Sequence, residues 1–445
     1  MAAPLSLQGC LLILPLVWLM TGSGFRATAN PDHVFTSATG LGEVEAQNLI
    51  GQVGQTSELD SEDEQVLLCP GVESSNGNQE GSEDILIDFP YPNAPIQKVK
   101  IVGSTVFSAE DIKEEIERSD EINQRIQKLE GRSLTWDDEE ELIALAIGVK
   151  NAISDLYIKE GYITSQAESP TPTPDNGVIG IQVIEGSLAE IQIKGTRNLT
   201  SYICDRIQLG AGTPVNTAKL EDQLRLLRNN PLIDNIEANL QPTGKRNQSI
   251  LSVLVTLTDP FEANISVDNY SPPSVGSERL GVRLRHRNLT DIGDEIYLYS
   301  SSTATGGTEA FELSYRLPLN PMNGTLQLRV APNQNEVTLS EFEEFDIRGE
   351  TELYEISYRQ PLVRSIREEF ALSVGFTYQN GQTFIFDQLP TPFGIGPDED
   401  GISRTSVIQF GQEYLRRDPQ GAWLLRSHPR YHRESQIRCL QNSYQ

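Results

Sequence analysis

The feature that most constrains this chain is strict period-two alternation across residues 260–426, where helical spacing is absent. Residues 370–378 show it best. Phe370, Leu372, Val374, Phe376 and Tyr378 share one face of a strand, and Ala371, Ser373, Gly375 and Thr377 share the other. Phe311, Leu313, Tyr315 and Leu317 oppose Glu312, Ser314 and Arg316 in the same way, and Tyr354, Ile356 and Tyr358 oppose Glu355, Ser357 and Arg359. An antiparallel sheet with one fatty and one wet face follows. Two architectures accept such strands: a soluble β-sandwich, with the fatty faces turned inward, and a transmembrane β-barrel, with them turned out to lipid. Arg283, Arg285 and Arg287 fall on one face, opposite Val282, Leu284 and His286. On a lipid face each arginine would cost about 2–4 kcal/mol near the midplane. In a barrel they therefore face the lumen together with Glu312, Arg316 and Glu355, where the acids could pair with them, or where the basic stripe could hold a plug or a passing chain.

Upstream, the pattern changes from strands alone to strands and helices. Residues 188–194 (LAEIQIK) alternate as a half-buried strand ended by Gly195, and Thr200 is placed to cap a short helix to Ile207. Asn216 is placed to cap a second helix in which Leu220, Leu224 and Leu227 recur at helical spacing until Pro231 stops it. Strands at 233–240 and 250–257 complete a β-α-α-β-β module. Residues 96–185 repeat the logic. Val99 to Gly103 parallels Ile191 to Gly195, Ser108 precedes Ile112 and Ile116, a helix over 137–160 turns at Gly161 into a strand, and 178–184 closes the unit.

The motifs GTRNLT, LRLLRNNPLIDNIEANL and SILSVLVTLTDP within 195–260 resemble a POTRA domain, the second of the pair found in transporters of two-partner secretion, the TpsB family. The preceding repeat resembles the first. This resemblance implies an α+β fold with two tandem POTRA modules, 94–186 and 187–259, followed by an antiparallel transmembrane β-barrel from 260 to 426. The family's barrel has sixteen strands, whereas 262–414 holds about eight by alternation. An incomplete barrel, about half of the full one, is therefore expected, and the basic, non-alternating residues 427–445 read as an out-of-frame tail. The resemblance also implies an amino-terminal plug helix, for which no convincing amphipathic pattern is present.

The amino-terminal apolar run from Leu11 to Met20 is too short to span a bilayer. With Ala27-Thr28-Ala29 behind it, it reads as a signal peptide over 1–29, although no Lys or Arg precedes the run. Residues 30–93 contain no Lys or Arg and accumulate Glu and Asp among Gly, Ser and Asn, the composition of a disordered acidic leader. Cys69, Cys204 and Cys439 have no paired spacing, so no disulfide framework is expected.

A net charge of −28 argues against nucleic-acid binding. There is no nucleophile motif, no phosphate-cradling loop and no complete metal-ligand set around His428 and His432, so neither enzyme activity nor a nucleotide, metal or other cofactor is expected. The partners that the resemblance implies are a secreted exoprotein taken up as an unfolded chain and the lipid of the outer membrane, with the POTRA modules in the periplasm. β-Augmentation, the pairing of an extended peptide with a sheet edge, would supply capture. The candidate edges are Ile163, Thr164 and Ser165 in the first module and Ile233 and Asn235 in the second, with Leu224 lining the adjacent groove. Two other roles fit the same residues: an outer-membrane protein assembly factor, and a periplasmic holdase working through the POTRA pair alone.

Overall fold

The computed structural model describes residues 66–70, 84–89, 97–128, 139–168, 178–386, 389–393 and 397–434, all within the compact unit 49–445. The expected signal peptide, most of the acidic leader and residues 435–445 lie outside the described residues.

Two stretches of the leader are not disordered. They form strands β1 (Leu67–Leu68) and β2 (Ile85–Asp88), which join the sheets of the two modules. In the first module β2 pairs antiparallel with β3 (Lys98–Val102). Helices α1 (Ala109–Arg118), α2 (Asp120–Lys128) and α3 (Glu139–Lys159) follow, then β4 (Gln166–Glu168) and β5 (Val178–Ile184), in the sheet order β2-β3-β5-β4. Ser108 caps α1 through a reciprocal pair with Asp111, so the expected start is where the helix begins. One face of α3, carrying Leu142, Leu145, Ala146, Val149, Ile153 and Leu156, is buried against Ile101, Ile179 and Ile181 of the sheet. Three helices stand where two were expected, because Ser119 closes α1 and the chain restarts as α2.

At the end of α3, Tyr157 is fully buried and donates to Glu185 Oε1 at 2.9 Å, with Ser104 Oγ also 2.9 Å away. Thr105 completes the shell of Glu185 with its backbone amide and hydroxyl. Burial pushes the Tyr157 phenol well above the ordinary tyrosine range. A raised pKa stabilises the fold fully below the unfolded value, about 10, and that stability falls above it as the unfolded chain ionises first. Tyr157→Phe is therefore expected to cost about 1–3 kcal/mol at neutral pH and to flatten the alkaline decline of the module's melting temperature, measured by calorimetry between neutral and strongly alkaline pH.

The second module contains β6 (Ser187–Lys194), α4 (Thr200–Gln208), α5 (Thr217–Arg228), β7 (Ile233–Pro242) and β8 (Gln248–Leu257), with sheet order β1-β6-β8-β7. This is the expected β-α-α-β-β order with one added edge strand. In both modules the opening strand runs parallel to the closing one. Asn216 caps α5 by accepting from Lys219 N at 3.1 Å. Thr200 does not cap α4: Leu199 occupies that position with a left-handed backbone, and the Thr200 hydroxyl donates to Arg197 O. Hydrogen bonds from Asn216 Nδ2 to Glu160 O (2.9 Å) and from Thr217 Oγ1 to Gly161 O (2.9 Å) clasp the modules together.

The remaining strands are β9 (Phe261–Asp268), β10 (Arg279–Arg287), β11 (Glu295–Thr303), β12 (Thr308–Pro318), β13 (Thr325–Glu336), β14 (Arg348–Arg364), β15 (Glu368–Ile385), β16 (Leu389–Pro390), β17 (Ile402–Asp418), β18 (Gly421–Ser427) and β19 (Arg430–Glu434). Each long strand pairs antiparallel with its sequence neighbour, from β9 at one edge to β18 at the other. Among the described residues the sheet is open. Within the expected out-of-frame tail, residues 430–434 form β19, which continues the edge begun by β18 and pairs Tyr431 with Ile408.

Candidate functional site

Register decides what each face of the large sheet presents. Following cross-strand partners from β10 to β17, one row reads Leu284, Leu298, Leu313, Val330, Tyr354, Tyr378 and Ser406. The next reads Arg285, Tyr297, Ser314, Arg329, Glu355, Thr377 and Val407, and a third returns to His286, Ile296, Tyr315, Leu328, Ile356, Phe376 and Ile408. Because side chains alternate across the pleat, the first and third rows share a face and the second lies on the other. On the apolar face large side chains stand open to the surroundings: Val374 is 44% exposed, Ile356 46% and Phe410 55%. A monomer in water rarely displays such an area. A sandwich would cover it with a second sheet, and none packs there among the described residues.

The opposite face carries a ladder of ion pairs. Glu262 meets Arg287 at 2.8 Å and Arg285 at 3.4 Å, while Glu295 bridges Arg285, Arg287 and Arg316 at 3.4–3.7 Å. Arg329 stands between Glu312 (3.0 Å) and Glu355 (3.7 Å). Further along, Arg359 bridges Glu369 and Glu413, and Arg426 reaches Glu413 at 2.6 Å. The expected lumen residues thus share one charged face, but the pairing differs. Arg285, Arg287 and Arg316 take Glu262 and Glu295, and Glu312 and Glu355 take Arg329, because acids are nearer in register than the sequence alone indicates. Arg283 lies 5.4 Å from the ring centroid of Tyr299, within cation–π range. Half-buried alternating charges of this kind line a wet surface and leave polar groups free to exchange partners.

The second module docks on this sheet through α4. Arg206 stacks 3.3 Å over the Tyr202 ring, donates to Tyr202 O at 3.0 Å and reaches Asn323 Oδ1 in the β12–β13 turn at 3.3 Å. Burial lowers its pKa from the ordinary arginine value. Tyr202 also packs on the β10–β11 turn, where Gly293 has φ +81° and an added Cβ would lie 2.5 Å from the ring. Beside it Asp294 is fully buried and accepts from Thr290 N and the Tyr315 hydroxyl. Gly293→Ala is expected to cost about 1–2 kcal/mol through its left-handed backbone. Amide exchange across α4 should rise about tenfold while the centre of the sheet is unchanged.

The expected capture residues separate into three groups. Asn235 lies on β7, whose outer edge has no paired strand among the described residues, and its side chain meets Glu237 at 3.1 Å. Ile163, Thr164 and Ser165 do not form a strand. They occupy the turn before β4, and Ser165 is buried holding Gly186. Ile233 opens the same edge strand as Asn235 with its side chain buried at 4% exposure, and Leu224 is 5% exposed in the module core, so Leu224 does not line a groove. Among the described residues the sheet edges are β2 and β4 in the first module and β1 and β7 in the second, of which β7 is the longest. Sequence reading also missed the disulfide between Cys69 and Cys204, which joins β1 to α4 across 135 residues. Paired spacing could not reveal it, since the two cysteines belong to separate segments.

The family model for haemolysin secretion/activation protein ShlB/FhaC/HecB matches residues 247–391, and that for the ShlB-type POTRA domain matches 94–186. The heme/hemopexin transporter protein HuxB of Haemophilus influenzae (strain 86-028NP) is 24% identical over 359 residues, 78% of this chain and 60% of that protein. The outer membrane transporter CdiB of Escherichia coli is 26% identical over 154 residues, 34% of this chain and 25% of that one. This chain thus spans about three fifths of HuxB at most. The solved structure of Escherichia coli CdiB shares the fold with a TM-score of 0.54 at 17% identity, covering 80% of this chain and 60% of its own. Over residues 94–186 and 247–391 the chain thus matches the ShlB/FhaC/HecB haemolysin secretion/activation proteins, and these two parts are similar in sequence to the two-partner secretion transporters.

Proposed function

We propose that this chain acts in the outer membrane as a transporter, not an enzyme, with its POTRA modules in the periplasm and a secreted exoprotein as its unfolded cargo. The observation that carries the reading is the junction: two modules with open strand edges are docked, through Tyr202 and Arg206, on a sheet with one apolar and one ion-paired face. An extended segment of cargo adds to β7 or β4 by main-chain hydrogen bonds, which demand little of its sequence. The charged face then offers a wet surface along which the segment slides, while lipid covers the apolar face. In hydrocarbon the outer edges of β9 and β18 require partner strands, since unpaired backbone there costs several kcal/mol per group. No nucleotide or nucleic acid enters this scheme. Cargo folding outside the cell supplies the direction.

Deleting the gene in the producing cell, with quantitative proteomics of medium and outer membrane, tests this reading. Loss of one large extracellular protein with other outer-membrane barrels unchanged is the expected result. A general fall in outer-membrane barrels would replace secretion with barrel assembly, and no change in either fraction would leave only a periplasmic holdase.

A further inference from the structure

We propose that strand β1 is an intramolecular cover, clamped by the Cys69–Cys204 disulfide over the outer edge of β6, which closes that edge of the second module to strand addition. The cover bears on the capture reading above, because it replaces the long edge of β6 by a two-residue one and leaves the ten-residue β7 as the module's long open edge.

Without a cover, β6 would end the sheet and present an unpaired row of backbone groups, the template that extended peptides add to. What lies on it is very short. Leu67 and Leu68 pair with Ile193 and Gln192, and Cys69 N donates to Ile191 O at 3.0 Å. Leu68 is 57% exposed and brings little apolar burial. Ordering each residue costs about 1–2 kcal/mol of backbone entropy, whereas a hydrogen bond returns about 0.5–1.5 kcal/mol. Two paired residues do not hold themselves in place. The covalent bond does. Cys204 is fully buried on α4 and Cys69 is 8% exposed, so the clamp closes within the module's core. Gln208, one turn along α4, adds a hydrogen bond to Pro70 O at 2.7 Å. Since α4 also carries Tyr202 and Arg206, the cover is anchored to the helix that docks on the large sheet.

The first module shows the same arrangement by different means. Its opening strand β3 is covered by β2, which has four paired residues and a Lys100–Asp84 ion pair at 2.7 Å. The longer strand has no disulfide, and the two-residue strand has one. In both modules the leader covers the opening strand, so the outer edges are the short β2 and β4 in the first module and the two-residue β1 and ten-residue β7 in the second.

The clamp forms where thiols are oxidised. The Sγ atoms of Cys69 and Cys204 bond to each other, and two electrons and two protons pass to a disulfide oxidant, which leaves as a dithiol. Until then the edge of β6 is accessible.

The test uses the full chain in detergent, oxidised or reduced with a phosphine, together with Cys69→Ser. The probe is a fluorescent peptide of residues 63–70 with serine at the cysteine position. In the reduced chain and the variant, amides of 191–194 should exchange at least tenfold faster and the peptide should bind saturably. The oxidised chain should do neither, and reoxidation of the reduced chain by oxidised glutathione should restore slow exchange. Amides 251–255 of β8 report folding, and if Cys69→Ser fails to fold, the reduced and reoxidised chain decides alone. Equal exchange in both redox states, or equal peptide binding by the oxidised chain, would overturn the proposal. No exported protein takes part, so a negative result leaves the secretion reading intact, and a failed secretion assay leaves the cover intact.

Discussion

Phe376→Arg is expected to destabilise the membrane-embedded sheet by about 2–4 kcal/mol, whereas Thr377→Arg, one residue along, is expected to change it little. Phe376 stands on the apolar face, 42% exposed, in the row with Ile356 and Ile408. Thr377 stands on the charged face, paired in register with Glu355. An arginine at 376 would need to shed its water into hydrocarbon, while one at 377 gains a carboxylate neighbour. The difference amounts to about thirtyfold to several hundredfold in the folded-to-unfolded ratio. Denaturant titration in lipid vesicles, read by heat-modifiable gel mobility, measures it. Equal costs at the two positions would mean that the two faces meet the same environment.

Removing the Cys69–Cys204 crosslink is expected to cost the second module about 2–5 kcal/mol, near the top of the range for long loops. The bond spans 135 residues, including the whole first module, so the reduced unfolded chain regains the freedom of a long loop. Phosphine reduction and Cys69→Ser should lower the denaturation midpoint equally, and combining them should add nothing. A smaller loss on reduction than in Cys69→Ser would trace part of the cost to the serine side chain.

The parts of this architecture that repeat with a fixed period were readable in the residues. Phe370 to Tyr378 alternate over enough positions that both the strand and its two faces follow from the sequence, and the helix positions Leu220, Leu224 and Leu227 mark a buried stripe in the same way. Caps were readable where a side chain makes the bond, as Ser108 and Asn216 do, and not where backbone alone does, as at Leu199 before Thr200. The leader misled because β1 and β2 are too short to shift the composition of an acidic segment, and their stability comes from sheets elsewhere in the chain. Periodicity also could not tell a core from a groove. Leu224 is apolar at regular spacing and packs inward, and Ile163 to Ser165 alternate as a strand would but form the turn before β4, where Ser165 Oγ accepts from Gly186 N. Ion-pair partners depend on register between strands, which residue types alone leave open. Glu262 and Glu295 therefore take the arginines that Glu312 and Glu355 were expected to meet.

The large sheet divides lipid from water along adjacent residues. Spin labels at Phe376→Cys and Thr377→Cys report this division, in the chain reconstituted in vesicles with Cys10 and Cys439 replaced by serine. Power saturation should show the label at 376 relaxed by oxygen and shielded from a water-soluble nickel chelate, and the label at 377 the reverse. Both labels open to the chelate, or both equally shielded from it, would contradict the division.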